Sequence, residues 1–118
     1  MTREELKEHV INFFKDELVF EKPQGGTFKI INIGNTKIEN VSNEGFQYSG
    51  VNKYVPFNTL FECYEQLIST GMLSRTWFNK TFPTEQSGRP CNFTTIGSIL
   101  VKLKIAKYNS NGDYEKSI

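Results

Sequence analysis

The chain has 118 residues, of which 37% are hydrophobic and 23% charged, and a formal net charge of +1, a size and balance that point to one globular domain. No run approaches the ~20 apolar residues that span a bilayer. The acids in "MTREELKEHVINFF" exclude the basic head of a secretory signal, so the expected location is cytoplasmic, with Cys63 and Cys91 as reduced thiols.

"TREE" places Thr2 as a helix N-cap with Glu5 three residues on, a reciprocal capping box, and Leu6, Val10, Phe13, Phe14 and Leu18 follow at helical spacing. The pattern predicts a helix over about 3–18, ended by "EKPQGG", where Pro23 and the glycines cannot continue it. "TFKIINIGNTKIENVSNEGFQYSG" then alternates β-branched and aromatic residues with polar ones, and Gly34-Asn35 and Ser42 to Gly45 have the chemistry of tight turns. This reads as a three-stranded antiparallel meander at about 27–33, 36–41 and 45–49, covered by the first helix.

From Val51 the helical period returns. "PFNTLFECYEQLISTG" has Pro56 before the start, Thr59 with Glu62 as a second capping box, Leu60, Tyr64, Leu67 and Ile68 on one face, and Gly71 as its stop. Ser74 caps a short helix to Phe82, anchored by Trp77, Phe78 and Phe82 and ended by Pro83. A loop leads to a third helix over about 92–103, with Phe93, Ile96, Leu100 and Leu103 on its buried stripe. "KIAKY", "NSNG" and "DYEKS" form a hairpin of the Asn-Gly type. The whole is predicted to be α+β and a single domain over 1–118, with a helix-plus-meander subregion at 1–50 and a helical subregion with its hairpin at 51–118.

The order of elements in "FECYEQLISTGMLSRTWFNKTF", "NFTTIGSILVKLKIAKY" and "NSNGDY" resembles the winged helix-turn-helix superfamily over residues 57–117. That resemblance implies double-stranded DNA as partner, with the third helix in the major groove and the hairpin, or wing, along the backbone. The chain departs from the pattern in the link from Pro83 to Cys91, which is longer than the usual three or four residues.

The residues supply their own case. Residues 71–107 hold Arg75, Lys80, Arg89, Lys102, Lys104 and Lys107 against Glu85 alone, which suits a polyanion. With the apolar stripe of the third helix inward, Thr94, Thr95, Ser98 and Lys102 face outward and Asn92 stands at the start. Short hydroxyls permit close approach, Asn pairs with the edge of adenine, and Thr methyls meet the methyl of thymine. Such residues equally clothe a solvated helix face. Arg89 in "SGRP" has the setting of a minor-groove arm. Arg75, Lys80 and Lys107 suit phosphates, with Asn109, Asn111 and Lys116 as further wing contacts. Trp77 is either a stacking platform or an anchor of the core.

No catalytic or metal-binding constellation is expected: His9 is the only histidine and lies far along the chain from both cysteines, and zinc spacing is absent. No cofactor is implied, since "PQGGT" lacks the Lys and helix of a phosphate loop. The sequence thus reads as a non-enzymatic DNA-binding protein, a regulator or the DNA-reading module of a mobile-element or defence system. The alternative is a protein-binding adaptor or inhibitor on the same scaffold, or a homodimer formed through an edge strand of the meander.

Overall fold

The computed structural model describes residues 1–16, 19–21, 27–38, 41–48, 54–84, 91–109 and 111–117. The expectations for Leu18, the end of the third meander strand and Arg89 lie outside them.

The fold is α+β. Helix α1 (Arg3–Asp16) is followed by strands β1 (Val19–Glu21), β2 (Thr27–Ile38), β3 (Val41–Tyr48) and β4 (Tyr54–Pro56). Helix α2 (Phe57–Thr70), β5 (Met72–Leu73), α3 (Arg75–Thr81), α4 (Cys91–Lys102), β6 (Ala106–Tyr108) and β7 (Tyr114–Lys116) complete it. The strands form two antiparallel sheets, one of four strands in the order β1-β2-β3-β4 and one of three in the order β5-β7-β6.

Local chemistry sets most helix ends. Thr2 and Glu5 form the reciprocal box that starts α1, Thr2 N–H donating to Glu5 Oε1 at 3.0 Å and Glu5 N–H to Thr2 Oγ1 at 3.2 Å. Gly71, at φ 83°, closes α2 in the left-handed conformation and donates its N–H to the Leu67 carbonyl, the glycine stop expected at that point. Ser74 caps α3 by accepting from the Trp77 N–H at 3.1 Å. A Schellman turn ends α4, with Ile105 N–H on the Leu100 carbonyl, Lys104 N–H on the Val101 carbonyl, and Lys104 itself at φ 63°.

Three expectations are corrected. The second capping box does not form: α2 already starts at Phe57, its N-cap is Pro56 without a side-chain cap bond, and Thr59 is buried within the first turn. The proline ring pre-sets the entry at φ −64°, which moves the start upstream of Thr59. Gly34-Asn35 and Ser42 to Gly45 are not turns: Gly34 pairs with Gly45, Asn35 with Glu44, and the chain reverses between Ile38 and Val41. The later reversal lengthens the ladder, and Gly45 serves close approach, because a Cβ there would collide with the Val55 carbonyl and lie 2.7 Å from the Tyr54 hydroxyl of β4. The last hairpin is closed by residues 109–113, not by a two-residue Asn-Gly turn. Asn109 Oδ1 accepts from the N–H groups of Asn111 and Asp113, while Gly112 takes φ 89°.

One hydrophobic cluster joins both sheets and the helices, from Leu6, Val10 and Phe14 of α1 through Phe46 and Tyr48 to Leu67, Phe93, Leu100 and Tyr114. Phe14 meets Phe46 edge-on at 5.3 Å between ring centroids. Tyr48, Tyr114, Phe14, Phe46, Phe78 and Phe93 are among the largest fully buried side chains, and each such ring removes roughly 150–250 Å² from water.

Candidate functional site

Helix α4 carries the residues expected to read DNA, and the fold puts most of them inside. Asn92 and Thr95 are 0% exposed and Ser98 is 1% exposed. The helix lies against both edge strands of the N-terminal sheet, β1 and β4, as well as α2 and β6. It therefore has a covered side where the winged-helix pattern expects an open one. That corrects the outward face: Asn92, Thr95 and Ser98 cannot touch bases in this arrangement.

Each buried polar group has a distinct setting. Asn92 Oδ1 accepts from the Tyr48 hydroxyl at 2.7 Å, and Asn92 Nδ2 donates to the Tyr54 carbonyl at 2.8 Å, so the start of α4 is bonded to β3 and β4. Ser98 turns its hydroxyl back to the Thr94 carbonyl at 2.7 Å, a bond within the helix that commits its one O–H donor. Thr95 Oγ1 is buried with no partner among the described residues.

Gly97 explains the close packing on the other side of the helix. A Cβ there would run into the Tyr114 ring of β7, so the helix accepts a residue costing about 1 kcal/mol in intrinsic propensity in return for ring contact. Tyr114 also packs on Phe93 and Tyr108, each at 5.5 Å between centroids.

The cations are dispersed in role. Arg75 begins α3 with its backbone N–H on Asp113 Oδ1 at 3.0 Å, its guanidinium carbon 4.6 Å from the Phe93 ring centroid and Nη2 donating to Thr94 Oγ1 at 3.3 Å. It pins the β6-β7 loop and α4 to α3 instead of projecting, and it covers Thr94, which is half-buried. Lys107 is exposed and lies 3.6 Å from Glu115 Oε2 across the β6-β7 pair. Lys102 is half-buried and Lys80 is exposed. Asn109 is half-buried and its Oδ1 is bonded within its own turn, whereas Asn111 and Lys116 are exposed. Trp77 is half-buried, edge-on to Phe82 at 5.8 Å, and packs against the core. His9 is exposed on α1, Cys63 is buried and Cys91 is exposed.

The sequence did hold a signal for the buried helix. From Cys91 to Val101 there is no charged residue, whereas helices that lie against phosphates draw on Arg and Lys.

A second surface is the outer edge of β2. On the side of β2 away from β3, β1 pairs only with Thr27, Phe28 and Lys29. Ile31 is the irregular residue where the register shifts, and from Asn32 to Ile38 β2 pairs regularly with β3. Ile38 and Val41 are separated only by residues 39 and 40, so they exchange both hydrogen bonds of their pair. Alternation then directs the backbone N–H and C=O of Thr36 and Gly34 to β3, and those of Lys37, Asn35 and Ile33 to the outer edge. Among the described residues no strand pairs with that edge.

No described helix is long and apolar enough to cross a membrane. No protein-family model matches the chain, and no curated protein or solved structure matches it either.

Proposed function

We propose that the chain is a non-enzymatic protein-binding module, an adaptor or inhibitor built on a winged-helix-like unit, which takes a partner's strand along the outer edge of β2. The observation that carries this reading is the row of outward backbone groups at Ile33, Asn35 and Lys37. Main-chain hydrogen bonds to such an edge supply affinity in strand addition. The enclosure of α4 and the near-neutral charge of +1 support it. The test substitutes Asn35→Pro, which deletes an outward donor while sparing the ladder to β3. Partners recovered with the wild type should fall at least about tenfold, the equivalent of 1.4 kcal/mol, and persist with Lys107→Glu. Equal recovery with Asn35→Pro would sink the reading.

A second reading, double-stranded DNA binding, is favoured by the order helix, strand, helix, helix, strand, strand from α2 to β7 with sheet order β5-β7-β6. Lys80, Lys104, Lys107 and Lys116 are exposed and would serve phosphates, with little reading of bases. Each phosphate neutralised would add about 0.9 to the slope of log affinity against log salt. No duplex binding at low salt ends this reading.

A further inference from the structure

Resting on the strand-addition reading, we infer that the partner at the β2 edge is a second copy of this chain, joined by antiparallel pairing of the two β2 strands about a two-fold axis through Asn35. Two identical strands related by such an axis must place residues of matching backbone direction opposite each other. Outward groups occur at Ile33, Asn35 and Lys37, which are symmetric about Asn35. Centring the axis there sets Asn35 against its own copy and Ile33 against Lys37, and every outward N–H and C=O of the segment meets a partner. An axis through Gly34 would leave Lys37 opposite the irregular Ile31 and so lose part of the ladder.

The ends of the segment fit the same register. The partner's Ile38 falls opposite Asn32, at the last regular position before the register shift, so the paired segment ends clear of the β1 pairing at Thr27 to Lys29. Lys37 is the only charged residue from Asn32 to Ile38, and this register sets it against Ile33 and not against its own copy, avoiding the like-charge pairing that blocks many edges. Beyond β1 and β4, β2 and β3 form a two-stranded ribbon, a structure marginal alone in water. Pairing with a second ribbon makes it four strands wide.

The experiment combines sedimentation of the full chain with residue-resolved hydrogen exchange over a dilution series. The expected result is a species of twice the 13.6 kDa chain mass at high concentration. The amides of Ile33, Asn35 and Lys37 should be protected there and exchange at least about tenfold faster on dilution. Asn35→Pro should sediment as the single chain, while Asn35→Cys in a Cys91→Ser background should oxidise to a covalent dimer, since residues facing each other on the axis lie within disulfide reach. A monomer with these amides exchanging freely overturns the second copy and leaves the edge open to another protein. A monomer with the amides protected at every concentration overturns both this inference and the strand-addition reading.

Discussion

The Tyr48 hydroxyl donates to Asn92 Oδ1 at 2.7 Å, and neither side chain is more than 1% exposed. A strand of the N-terminal sheet is thereby bonded to the start of α4 within the core. Buried polar pairs are costly to break singly, because the remaining group loses its partner without regaining water.

Tyr48→Phe and Asn92→Leu should each destabilise the protein by about 1–3 kcal/mol. The double variant should cost less than their sum, with a coupling of about 0.5–3 kcal/mol. Urea unfolding of the cycle measures it, and strict additivity would show that the bond does not hold α4 to the sheet.

Thr95 gives the opposite sign. Its hydroxyl is buried without a partner among the described residues, so Thr95→Val removes an unsatisfied group at nearly constant shape. Stability should rise by about 1 kcal/mol, read as a higher Tm. A loss would mean that the hydroxyl is bonded.

Gly97→Ala sets helix propensity against packing. Alanine gains about 1 kcal/mol in an unconstrained helix, but here its methyl meets the Tyr114 ring, and overpacking costs typically 1–3 kcal/mol. Net destabilisation is expected in thermal unfolding, relieved in part by Tyr114→Leu.

Acid should weaken the start of α1. The Thr2 backbone N–H, and then its hydroxyl, hold the Glu5 carboxyl below its ordinary value of 4.5. A depressed folded value means that the contribution is present above the unfolded value and lost as pH falls through the folded one. The Tm difference between wild type and Glu5→Ala should therefore shrink as pH drops below that range. A difference unchanged with pH would contradict it.

What could be read beforehand divides along physical lines. Thr2 with Glu5, Gly71 and Ser74 act through neighbours in sequence, so the ends they set were legible. Thr59 was not, because Pro56 decides the start of α2 first. The role of Gly45 was not legible, because it admits β4, a contact made by residues about ten positions further on. The face of α4 was least legible: Thr95, Ser98 and Asn92 are small, neutral and polar, and such residues suit a groove or a bonded interior equally. Only the docking of β1 and β4 onto the helix decides between them, and no local pattern records that.

The most direct test of α4 as a closed core helix is a residue-by-residue NMR titration of the chain with duplex DNA at low salt. The expected result is that the resonances of Asn92, Thr95 and Ser98 stay in place, with any shifts confined to exposed lysines such as Lys80, Lys104 and Lys116. Saturating, salt-sensitive shifts at Asn92, Thr95 and Ser98 would contradict the account, because those side chains can meet bases only if the sheet leaves the helix.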